Sequence, residues 1–207
     1  MPVFTFRLSA GKNIYLPLLK ILDNPVKNPE KIKTIVLGIG NILLGDEGIG
    51  VHIVKRLQEE DIPSEVLAID GSTAGFRLFP LFETYRNCKF IIIDAIGISR
   101  DSCGDTDDNA SGNLYEIPLK DFYNVAGSEY PGTDFISFHQ TALIDVLKLF
   151  YLTYGIKIDG YFIGVNVNGN GNKDNAFSFS MKLSTVVEKK IPRIIGLVKK
   201  NIALLTG

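Results

Sequence analysis

Three short apolar runs, separated by amphipathic stretches, set the pattern of the first half of this chain. Thr34–Gly38, Glu65–Ile69 and Phe90–Asp94 are rich in Val or Ile, or bounded by turn residues, and predict buried parallel strands. Between the first two, Ile49, Ile53, Val54 and Leu57 fall on one helical face, with Lys55, Arg56, Glu59 and Glu60 outside it. Pro63 stops that helix. A shorter helix is predicted over Phe76–Tyr85, where Pro80 disturbs the first turns. Strand, helix, strand, helix, strand implies a parallel sheet with right-handed crossovers.

The second half continues the pattern with interruptions. Leu114–Pro118 reads as an edge strand, because Pro118 would interrupt a central one. Gln140–Tyr154 is a strongly amphipathic helix through Leu143, Val146, Leu147 and Phe150, and Tyr161–Val165 is another buried strand. Leu183–Leu205 is a final helical region that Pro192 breaks or kinks. Asp101–Gly112 and Asn166–Asn175 read as loops, the first an acidic insertion without the spacing or terminal Glu of a calcium loop. The fold class expected is therefore α/β: a three-layer, mostly parallel twisted sheet of about five strands with helices on both faces. Residues 33–207 form its single domain. Residues 1–32 form an N-terminal extension, with Pro25 and Pro29 marking a linker.

Composition narrows the classes. A chain of 207 residues suits one domain, and 45% hydrophobic residues suffice for a full core. With 22 basic and 23 acidic residues, a net charge of −1 and no long basic run, no nucleic-acid partner is predicted. Cys88 and Cys103 lack metal-type spacing and read as reduced, cytoplasmic usage. The apolar stretch Ile14–Leu22 carries Pro17 and Lys20, lacks a cleavage signature and is too short to span a bilayer, so no membrane association is expected.

The segment from Thr34 to Gly50 runs from a strand through a glycine-rich turn into a helix. Gly40 to Gly45 has the spacing of a phosphate-binding loop, but Asp46 and Glu47 stand where that loop needs Lys and Ser or Thr. Two carboxylates repel an anion and suit a cation. A dinucleotide site is weakened in the same way: Gly38-Ile-Gly40 begins the fingerprint, Asp70 resembles a ribose-binding acid, but Leu43 replaces the third glycine. Neither GxSxG nor HExxH occurs, so a serine hydrolase or an ordinary zinc protease is not indicated.

In parallel α/β sheets ligands bind beyond the carboxyl ends of the strands, near a topological switch point. Asn41, Asp46 and Glu47 follow the first strand, Asp70, Gly71, Ser72 and Thr73 the second, and Asp94 ends the third. Asp70 could equally serve as a cap for neighbouring backbone amides. His52 reads as a surface or boundary residue of the first helix; His139, at the entry to the long helix, is able to face the strand-end crevice or be inert. Together Glu47, Asp94 and His139 offer carboxylate oxygens and an imidazole, a set suited to Zn²⁺, Ni²⁺ or Fe²⁺ with positions left open.

Four blocks, in this order and spacing, resemble the nickel–iron hydrogenase maturation endopeptidases. They are Gly38-Ile-Gly-Asn-Ile-Leu-Leu-Gly-Asp-Glu-Gly-Ile-Gly50, Asp70-Gly-Ser-Thr-Ala-Gly75, Ile91-Ile-Ile-Asp-Ala-Ile96 and Ser137-Phe-His-Gln140. The likeness covers roughly residues 33–200. It implies an endopeptidase that removes a C-terminal extension from a hydrogenase large-subunit precursor once nickel is inserted. By motif position Glu47, Asp94 and His139 would contact the metal, and Asp70 would be a candidate to assist cleavage alongside Glu47 and Asp94. The nickel would be brought by the substrate as a recognition element, with no permanent cofactor. Metal polarisation of the scissile carbonyl, metal-bound hydroxide and a carboxylate base acting on water all stay open. The hydrogenase precursor is the expected partner, and a monomer is expected. The competing reading is a non-proteolytic metal-sensing or nucleotide-binding protein of the same fold. The N-terminal extension and the expanded Asp101–Gly112 stretch depart from the family pattern and bear on which precursor is chosen.

Overall fold

The computed structural model describes residues 29–73, 75–98, 112–124, 135–136, 140–167 and 180–206. An interior strand of its sheet, β1 (Thr34–Ile39), is six residues long and buried along its whole length. No face of β1 meets water, which is why its sequence is apolar without alternation. β2 (Val66–Ser72) pairs parallel to it on one side and β3 (Lys89–Ile98) on the other. β6 (Asp159–Asn166) pairs parallel to β3, and β4 (Leu114–Pro118) closes that edge antiparallel to β6. The order is β2-β1-β3-β6-β4, with the two-residue β5 (Phe135–Ile136) antiparallel to the tip of β3. The expected parallel sheet and its Pro118-bearing edge strand are both present.

Helices cover both faces. α1 (Ile49–Gln58) and α5 (Ile191–Thr206) pack with Val36, Ile91, Ile93 and Ile163 on one side. On the other, α2 (Leu78–Thr84) and α3 (Gln140–Tyr154) pack with Ile35, Leu37, Phe90 and Phe162. The even-numbered residues Phe90, Ile92 and Ile96 of β3 face α2 and α3, while Ile91, Ile93 and Ala95 face α1 and α5. The two prolines behave differently from a mid-helix break. Pro80 is the third residue of α2 and Pro192 the second of α5, first-turn positions where a missing N–H costs no helical bond. The break falls ahead of Pro192, between the one-turn α4 (Thr185–Glu188) and α5.

Two expectations need correction. β3 does not end at Asp94 but runs four residues further to Ile98, because β6 and then β5 continue to supply partners. β2 likewise runs through Asp70 to Ser72. Of the N-terminal extension, Pro29–Lys31 form a single 3₁₀ turn and Ile32 packs on the α2/α3 core. Ile14–Leu22 and the Asp101–Gly112 stretch up to residue 111 lie outside the described residues, as does most of Asn166–Asn175.

Candidate active site

The connections from β1 diverge. α1 leads to β2 across one face, whereas α2 leads from β2 over the opposite face to β3 on β1's other side. The carboxyl ends of β1 and β3 therefore border a switch point, where loops part and leave a crevice. Pairing between β1 and β3 stops at Gly38–Ile93. Asp94 is the next residue, so although it is not a strand end it stands where β1 turns away. Asp94 is 1% exposed, and the Ala95 amide donates to its Oδ1 at 2.8 Å. A carboxylate at this depth is costly unless donors or a cation stabilise its charge. By strand alternation Asp94 faces the α2/α3 layer, with Phe90, Ile92 and Ile96.

Glu47 arrives from the β1 loop. It lies half-buried in the 3₁₀ turn Gly45–Gly48, which packs against β3. Glycine is what lets this loop fold so closely. Gly40 has φ +148°, and a Cβ there would lie 2.2 Å from the Glu47 carbonyl oxygen. At Gly50 a Cβ would lie 2.3 Å from the carbonyls of both Ile39 and Ile93. The first turn of α1 thus rests on the backbone of β1 and β3, one residue short of Asp94.

The loop is also tied from outside. Gly45 donates to the Ser180 carbonyl at 2.6 Å, and Ser180 returns a bond to the Leu43 carbonyl at 3.0 Å. Asp46 Oδ1 accepts the Ser184 amide at 2.6 Å, at the residue that caps α4. Of the two adjacent acids, Asp46 is therefore an anchor across 138 residues of sequence, a role that no local pattern announces. The Asn41 side chain holds the Leu43 amide at 3.0 Å.

Asp70 stands apart. It is in register with Gly38 on the far side of β1, on the α1 face, where Lys55 Nζ lies 3.9 Å from Oδ2. Its Oδ1 accepts the Ser72 amide at 2.8 Å, the local capping use that the sequence left open. The structure brings the Glu47 turn and Asp94 to one edge of the crevice and places Asp70 across β1 on the opposite face. His139 lies outside the described residues; it precedes the first residue of α3, the helix packed on Asp94's side. Among the described residues no three His, Cys, Asp or Glu side chains form a metal-binding group.

His52 is half-buried on α1, as a boundary residue should be, with Nε2 buried. Burial, then the nearby Lys55 and Arg56, hold its pKa below the ordinary histidine range. No helix among the described residues is long and apolar enough to cross a membrane.

A sequence model described as hydrogenase maturation protease matches residues 51–201, which takes in Asp70, Asp94 and His139 and begins after Glu47. The hydrogenase 2 maturation protease of Escherichia coli K12 is 39% identical over 125 residues, covering 59% of this chain and 65% of that protein, just under two thirds of its length. Among solved structures, the hydrogenase maturating endopeptidase HybD of Escherichia coli superposes with a TM-score of 0.56 at 28% identity, over 81% of this chain and 90% of that one. The [NiFe] hydrogenase maturation protease HybD of Thermococcus kodakarensis reaches a TM-score of 0.59 over 82% and 98% of the two chains, and at 22% identity speaks for the fold alone.

Proposed function

Because the chain belongs to the hydrogenase maturation protease family, we propose that it is an endopeptidase that removes the C-terminal extension of a nickel–iron hydrogenase large-subunit precursor after nickel insertion. The observation that carries this reading is the buried Asp94 carboxylate beside the glycine-rich turn bearing Glu47. Oxygen donors at a crevice edge suit a cation held by another protein, and His139 is proposed as the nitrogen donor that completes the set.

Nickel is part of the substrate in this scheme. Its remaining positions are filled by Glu47, Asp94 and His139, which aligns the adjacent extension for hydrolysis. Precursor without nickel lacks that binding energy. A difference of about 4 kcal/mol corresponds to roughly thousandfold discrimination. Rigidity of the Glu47 turn matters here, since a ligand already held in place loses little freedom on binding.

The test is to incubate the chain with nickel-loaded and nickel-free precursor and read the large subunit's mass. Loss of the extension from the loaded form alone is expected. Cleavage of neither form, or equal cleavage of both, overturns the proposal, and tight NAD binding would point to the nucleotide alternative.

A further inference from the structure

Among the described residues, Ser72 is the only non-glycine residue with positive φ, at +50°. That conformation is unfavourable for a side chain with a Cβ. It arises at a bulge: Gly38 pairs with Asp70 but Ile39 pairs with Ser72, leaving Gly71 as the extra residue on β2. Gly71 is closely packed, since a Cβ there would sit 2.8 Å from Leu37 Cδ1 and 3.1 Å from the Gly38 carbonyl. Unfavourable backbone of this kind persists only where its surroundings over-determine it.

What holds Ser72 is visible. Its amide donates to Asp70 Oδ1 at 2.8 Å, an Asx turn, and its carbonyl accepts the Gly40 amide at 2.9 Å. Gly40 in turn abuts the Glu47 carbonyl so closely that no Cβ fits between them. A continuous chain of contacts thus runs from the Asp70 carboxylate through Ser72 and Gly40 to the backbone of Glu47.

We propose that Asp70 is a positioning residue: it holds the strained Ser72 turn, whose carbonyl fixes Gly40 and so sets the place of Glu47 in the crevice. This rests on the proteolytic reading above and replaces direct assistance in cleavage as Asp70's role. One observation favours it over general-base work: Asp70 Oδ1 is already engaged by the Ser72 amide. The contact with Lys55 involves two partly exposed groups, 50% and 37% exposed, and contributes little. An uncharged acceptor of the same shape should therefore serve as well as the carboxylate.

Asp70→Asn keeps the acceptor and removes the base. It is expected to process nickel-loaded precursor within about threefold of wild type, with an unchanged pH profile of kcat/KM. Asp70→Ala loses the acceptor and is expected to fall about 10- to 100-fold, the scale of a displacement approaching 1 Å. Ser72→Gly in the Asp70→Ala background should restore most of that loss, because glycine adopts φ +50° without the Cβ penalty. Thermal unfolding should rank the variants alike: Asn near wild type, Ala below it, the double variant recovered. A general base predicts the reverse: Asn falls with Ala by about 100-fold or more, the acidic limb of the profile shifts, and glycine rescues nothing. That outcome overturns the proposal. Should Asp70→Ala not fold, Asp70→Asn decides alone. Should wild type cleave no precursor, the proposed function fails, and the unfolding ranking still tests the anchor.

Discussion

Gly50→Ala isolates the packing on which the crevice depends. Gly50 is the second residue of α1 and is buried, with room for a hydrogen where a Cβ would meet two carbonyl oxygens at 2.3 Å. An ordinary contact begins near 3.4 Å, so the helix start has to withdraw by about 1.1 Å from β1 and β3. Neither neighbour can yield cheaply, because both are central-strand backbone. Overpacking of this sort costs about 1–3 kcal/mol. The clash is two-sided, which favours the upper end; alanine's helix propensity returns up to about 1 kcal/mol. The net cost is about 2 kcal/mol, which lowers Tm by about 4–8 °C in a chain of this size. Gly196 of α5 supplies the control: it is exposed, with nothing within 4 Å of a built Cβ. There Ala should stabilise by about 0.5–1 kcal/mol. Thermal unfolding of the two variants should move in opposite directions. A Gly50→Ala protein as stable as wild type would refute the close approach of α1 to both strands, and with it the placement of the Glu47 turn beside Asp94. Processing by this variant should fall even at temperatures where it is fully folded, since the withdrawal moves Glu47.

His139→Ala should abolish processing of nickel-loaded precursor while leaving far-UV circular dichroism and Tm near wild type; normal processing would remove His139 from the proposed ligand set. Tyr123→Phe should destabilise by about 1–3 kcal/mol in chemical denaturation, because the Tyr123 hydroxyl accepts the amide of Ile158 at 2.7 Å, next to a buried side chain. Burial, the largest cause, raises the Tyr123 pKa to about 12. A folded-state pKa above the ordinary value near 10 gives stability that is complete below pH 10 and lost as pH rises towards 12. Wild type should therefore lose stability across that window more steeply than Tyr123→Phe; parallel curves would contradict the shift.

Periodicity made the elements legible. Gln140–Tyr154 and Leu114–Pro118 have the predicted bounds, since one is a long stripe and the other ends at a proline that donates no ladder bond. The tip of β3 was not legible: Ala95-Ile-Gly-Ile98 has no local feature that separates strand from loop, and the deciding partners lie on β5 and β6. β5, with two residues, is too short for any pattern. At the site, the glycine spacing and the acids were visible, and motif position singled out Glu47 as the candidate ligand; the task of Asp46 was not visible, because its partner, the Ser184 amide, lies 138 residues on. Ser72's conformation had a signal, since Asp-Gly-Ser offers an Asx turn; its consequence depended on Gly40 lying across the sheet.

The sheet order explains why such a site has to be assembled from distant segments. β1 sends its helix to one face, and α3 packs on the other, so the two layers meet only around the carboxyl ends of β1 and β3. Glu47 belongs to the loop feeding the first layer, whereas Asp94 faces the second. A ligand set drawn from both exists only when both layers are docked. The Glu47 loop is pinned independently by Ser72, Ser180 and Ser184, three segments that approach from β2, from the strand-like bridge at Leu44 and from the cap of α4. Each bond alone is modest, about 1 kcal/mol net. In the proposed function their value lies in fixing one geometry in advance, so that nickel held by a precursor would meet oxygen donors already placed and the energy of coordination would go into discrimination rather than into ordering the loop.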